Sequence, residues 1–125
     1  MNPKSRLITI GILFVVKFLF GFWLSRSGKP YSVIVLTVHK LISLAILFLI
    51  ANAVYRLRAD VSWSGAEVTA IVITGMLFLV AIGTGGVLSM EKPAPAIIAL
   101  IHKITPYLTI VSSAVTLYLF VRGKA

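Results

Sequence analysis

His39 and His102 are the only two histidines of the chain, and each is followed directly by a lysine, Lys40 and Lys103. Each also stands nine residues after a proline, Pro30 and Pro93, so the two imidazoles share one sequence setting. An imidazole can ligate a metal, carry a proton, or bond a neighbouring hydroxyl or carbonyl, and what it does depends on what surrounds it. The elements that carry these residues therefore decide between chemistry and packing.

Those elements are membrane spans. Of 125 residues, 59% are apolar and 12% charged, with a mean hydropathy of +1.06, whereas soluble domains carry about a quarter charged residues. Apolar segments run from Leu7 to Ser25, Tyr31 to Tyr55, Ala66 to Met90 and Ala94 to Val121. Each is long enough to cross a bilayer with some tilt. Barrel strands would be about half as long and alternate in polarity, so the fold class is all-α. The first segment also lacks the small-residue cleavage pattern of a signal peptide, ending in Phe22-Trp23-Leu24-Ser25-Arg26, and is read as a span. The linkers are short, which makes neighbouring helices antiparallel. Four crossings give a four-helix transmembrane bundle in a single integral membrane domain.

The net charge of +9 could suggest nucleic acid, but the twelve Lys and Arg residues lie mostly at the ends of apolar segments, as interfacial anchors do. Lys4, Arg6, Arg56, Arg58, Arg122 and Lys124 lie on one side, against Arg26, Lys29 and Lys92 on the other. That bias predicts both termini in the cytoplasm of a prokaryotic plasma membrane. Trp23, Trp63, Tyr31 and Tyr55 mark span ends as an aromatic belt. The chain has no cysteine, which excludes disulfides, thiolate metal sites and a cysteine nucleophile.

The two halves of the chain repeat. At an offset of 63 the second and fourth spans pair Lys29 with Lys92, Pro30 with Pro93, His39 with His102, Lys40 with Lys103 and Tyr55 with Tyr118. At an offset of 64 the first and third spans pair Gly11 with Gly75, Phe14 with Phe78, Gly21 with Gly85 and Ser25 with Ser89. Leu and Val coincide cheaply in membrane sequence, but Gly, Pro, His and Lys do not. The spacing predicts two parallel repeated helical hairpins, residues 7–58 and 66–121, related by an axis along the membrane normal. Corresponding residues then lie at one depth, with both histidines roughly 12 Å inside the outer helix ends.

Ionisable groups at that depth are costly and usually functional. In an up-down-up-down bundle, the second and fourth helices face each other across a diagonal of roughly 14 Å. Two imidazoles can hold an iron across such a gap, and haem iron takes histidine as an axial ligand. Gly21 and Gly85, with Gly83 and Gly86 nearby, would let a flat macrocycle approach the backbone. The competing reading is that duplication copied one packing histidine, bonded to a carbonyl or hydroxyl. Zinc or copper is less well served, since two histidines without carboxylate or thiolate partners make an incomplete site.

Lys40 and Lys103 point about 100° away from the histidine face, where they can snorkel or meet an anion such as a haem propionate. Lys17 lies mid-span near the histidine depth and pairs with Ala81 at the offset of 64, which breaks the symmetry. It can neutralise a buried propionate or substrate, or snorkel. Glu67 and Asp60 suggest interfacial ion pairing with Arg56 and Arg58. Thr105, Thr109, Ser112, Ser113 and Thr116 make the fourth span polar, and Pro106 should kink it. No phosphate-binding glycine loop, nucleophile with a base, or paired intramembrane carboxylates is present.

The span count and the paired His39 and His102 resemble small four-helix b-type membrane cytochromes. The resemblance implies haem b held by histidines on facing helices, and electron exchange with a quinone. Members often carry further histidines for a second haem, whereas this chain holds two histidines in all. Two other classes fit the composition: a small transporter or channel whose His and Lys residues line a path for anions or protons, and a non-catalytic subunit of a larger membrane complex or homo-oligomer. Small multidrug transporters resemble this chain poorly, because they depend on an acidic residue in the first span, where this one carries Lys17.

Overall fold

The computed structural model describes residues 2–58, 62–90 and 92–124. These form four helices: α1 (Pro3–Ser27), α2 (Val33–Arg58), α3 (Gly65–Leu88) and α4 (Ala96–Lys124). The shortest, α3, has 24 residues, or about 36 Å at 1.5 Å per residue. All four are long and apolar enough to cross a membrane.

Local chemistry sets the helix ends. The side chain of Asn2 accepts from the Ser5 amide at 2.7 Å, and Pro3 follows in the first turn. This cap starts α1 ahead of the apolar run, where the missing proline N–H costs nothing. Gly28 closes α1 with φ 68°, its amide bonded to the Leu24 carbonyl at 3.2 Å; that backbone conformation favours glycine. Ser64 and Glu67 form a reciprocal capping box at the start of α3. Pro93 and Pro95 delay α4 until Ala96. Helix α4 runs on through Pro106, which withdraws the amide hydrogen that the His102 carbonyl would receive in a regular helix. Asp60 and Glu91 lie outside the described residues.

The side chains are distributed inside out relative to a soluble protein. Phe48 and Leu79 are 69% and 68% exposed, and Ile12, Val15, Leu19, Phe22 and Val111 are exposed with them. Thr109, Ser113 and Thr116 are buried, as is Lys17. Lipid tails favour apolar groups outside and leave polar groups to bond one another between helices. The protein is an integral membrane protein whose exposed apolar helices contact the lipid bilayer.

The chain divides into two compact units, Met1–Ala53 and Val54–Ala125. In the first, α1 and the greater part of α2 run antiparallel. Arg6, early in α1, donates to the Asn52 side chain late in α2 at 3.0 Å, and Gly21, late in α1, meets His39 early in α2. In the second, α3 and α4 pack antiparallel over a continuous series of contacts. Trp63 meets Phe120 edge to face at 5.6 Å, and Thr74 bonds both Ser112 and Thr116, the latter at 2.9 Å. Thr116 also approaches the Ala70 carbonyl at 3.2 Å.

Candidate functional site

Both histidines enter their helices at the same point, six residues after Val33 in α2 and six after Ala96 in α4. That is about 9 Å from each helix start, and both side chains are half-buried.

In the first unit, His39 lies on Gly21. A Cβ added to that glycine would come within 3.1 Å of the imidazole Cε1, closer than all but a few real contacts. The ring Nδ1 is 3.2 Å from the Lys17 carbonyl oxygen, one turn earlier on α1. A carbonyl can only accept, so Nδ1 carries hydrogen and donates it. The neutral ring then holds its lone pair on Nε2. Ser43 adds a hydroxyl bond to the His39 carbonyl at 3.0 Å.

In the second unit, His102 lies on Gly85, where an added Cβ would come within 2.9 Å of Cε1. Here Nδ1 meets the hydroxyl of Thr84 at 2.9 Å. That hydroxyl has one hydrogen, and its geometry directs it to the Val80 carbonyl at 2.7 Å, with the Ala81 carbonyl at 3.2 Å. With that hydrogen so placed, the oxygen would accept from His102 and leave the ring's lone pair on Nε2, as in the first seat.

The arrangement is a histidine seat built twice: a glycine that admits the ring, and an acceptor on the same helix that fixes its hydrogen. The room above Gly21 and Gly85 is filled by the imidazoles themselves. Gly83 and Gly86 take no part, since a Cβ on either would meet nothing within 4 Å. Lys17 supplies its carbonyl to His39, and its side chain is only 5% exposed, so it does not snorkel to the surface. Its Nζ lies 6.0 Å over the Phe14 ring, as expected for a helical side chain leaning toward the N-terminus. Lys40 and Lys103, by contrast, are exposed.

One residue of the second seat, Thr84, lies outside the sequence reading. Thr84 falls opposite Phe20 at the offset of 64; a hydroxyl replacing an aromatic ring beside the glycine was the signal that could have found it. Ser113 is buried with no partner for its hydroxyl among the described residues. Thr105 and Thr109, on the same face of α4, donate to the carbonyls of Ile101 and Thr105 at 2.6 and 2.8 Å. At the opposite end of the second unit, Ser64, Glu67, Leu119 and Arg122 line an open surface groove.

No group of three or more His, Cys, Asp or Glu side chains gathers among the described residues. A porphyrin supplies four of the ligands around its iron and asks two of the protein, and two imidazoles held with Nε2 basic suit that demand. Comparison of the chain with family models, curated proteins and solved structures finds no match.

Proposed function

We propose that this protein is a membrane b-type cytochrome that binds one haem through His39 and His102 and exchanges single electrons with a quinone or a partner protein. The observation that carries the reading is the doubled seat. Each histidine has its ring clasped against glycine and its Nδ1–H given to an acceptor on the preceding helix, the outer-shell bonding that orients a histidine toward a metal. Haem would supply a reversible one-electron change at iron. The chain's own contribution is to hold two imidazoles in one tautomer, the first of them through the main-chain carbonyl of Lys17.

The burial pattern supports the duplicated hairpin on which this depends. At the offset of 64, buried Ile10, Phe14 and Lys17 correspond to buried Thr74, Phe78 and Ala81. At the offset of 63, buried Ile46, Ile50, Ala53 and Val54 correspond to buried Thr109, Ser113, Thr116 and Leu117. Equivalent positions face inward in both hairpins, although the second fills many of them with hydroxyls. Parallel copies would bring both histidines to one depth, and the basic-residue bias would set the termini on the cytoplasmic side.

The absorption spectrum of the purified protein tests the reading. A Soret band that sharpens on reduction, and that is lost or weakened in H39A and H102A but kept in K40Q and K103Q, is the expected result. Absence of haem absorbance after expression with ample haem sinks it. The buried Lys17 favours a second reading, a small transporter for an anion or a proton, which a haem-free protein would bring forward.

A further inference from the structure

The two seats differ in one atom group. His39 reaches the main chain of α1 directly, at the carbonyl of Lys17. His102 meets a side-chain hydroxyl, and that hydroxyl leans on the carbonyls of Val80 and Ala81. Ala81 is the partner of Lys17 at the offset of 64, so Thr84 stands between the second histidine and the carbonyl that the first one uses.

We propose that Thr84 is a positioning residue, which holds His102 in the tautomer with hydrogen on Nδ1 and thereby keeps Nε2 basic for a metal. The use of that nitrogen rests on the haem reading; the tautomer does not. The argument runs through hydrogen counting. A threonine hydroxyl in a helix donates to a carbonyl three or four residues back, and Thr84 does so at 2.7 Å. With its single hydrogen committed, its oxygen offers only lone pairs to the imidazole 2.9 Å away. Thr84 is itself buried, so water cannot readily take its place, and a buried N–H without an acceptor is costly. Valine keeps the shape of threonine and removes the acceptor, so the ring hydrogen must then leave Nδ1 or lose its bond. Serine restores the acceptor. The first seat has no such dependence, because no side-chain substitution removes the Lys17 carbonyl.

The test is 15N–1H spectroscopy of the full chain, labelled at its two histidines and purified under dithionite, which keeps bound haem iron ferrous and diamagnetic. The wild type should show an Nδ1–H cross-peak from each ring, with H102Q assigning the second. T84V should lose or strongly shift the His102 cross-peak while the His39 peak stays, and T84S should recover it. A wild-type His102 with hydrogen on Nε2 and none on Nδ1 overturns the assignment, as does a T84V spectrum identical to wild type. Should T84V fail to fold, the wild-type spectrum and T84S still decide, since loss of the cross-peak in T84S contradicts the role. Both cross-peaks in a protein without a Soret band would uphold Thr84 while removing the haem reading, and a Soret band with the wrong tautomer would do the reverse.

Discussion

Gly85 and His102 are packed so closely that a methyl group on the glycine would lie 2.9 Å from the imidazole Cε1. At that separation the ring must move, and moving it breaks the bond to Thr84. G85A should therefore lower thermal stability by about 1–3 kcal/mol, the usual range for overpacking, and, if the seats hold haem, reduce its binding. G21A should do the same more mildly, since the corresponding distance is 3.1 Å. Gly11 and Gly75 have nothing within 4 Å of an added Cβ, so G11A and G75A should leave stability unchanged or raise it by up to about 1 kcal/mol through helix propensity. Thermal unfolding in detergent separates the two classes. Equal effects at all four glycines would remove the seat as their explanation.

Lys17 is buried within a span, with its Nζ 6.0 Å over the Phe14 ring. A lysine at the centre of a span costs about 2.5–3.5 kcal/mol by insertion scales, so K17M should fold at least as well as the wild type. If the cation serves a haem held by the adjacent His39, its removal should lower the midpoint potential, because a positive charge favours the reduced iron. The effect of a charge on the iron falls with distance, so a downward shift is the expected outcome. Redox titration measures it, and an unchanged potential would assign Lys17 to packing alone.

Thr116 meets the Thr74 hydroxyl of α3 at 2.9 Å, and its own hydrogen is shared between the Ser112 carbonyl on α4 at 2.8 Å and the Ala70 carbonyl on α3 at 3.2 Å. T116V should cost about 0.5–2 kcal/mol, the span of interhelical hydrogen bonds in membranes, and leave the histidine seats intact. A double-mutant cycle with T74V should show coupling between the two positions. Additive losses would mean that the hydroxyls bond only within their own helices.

Because the natural chain has no cysteine, single cysteines report topology on a clean background. K29C, in the first loop, should react with an impermeant thiol reagent from outside intact cells, and K4C only after permeabilisation. The reverse pattern would invert the orientation drawn from the basic residues.

Composition and period alone determined that this chain lives in a bilayer as four helices, because length, apolarity and the placing of Lys and Arg are one-dimensional properties that a span imposes on its sequence. That His39 and His102 share one sequence setting was legible for the same reason, as a spacing. Helix ends were less so: α1 starts at Pro3 and α4 at Ala96 because caps and prolines, rather than apolar runs, set them. Only tertiary structure decided what each histidine touches. The glycines read as room for a macrocycle receive the imidazoles instead, and the acceptors are a main-chain carbonyl and the hydroxyl of Thr84. Such contacts join residues some twenty positions apart on facing helices, and hydrogen-bond direction depends on angles and on where a hydroxyl's one hydrogen goes. A linear pattern of residue types records neither.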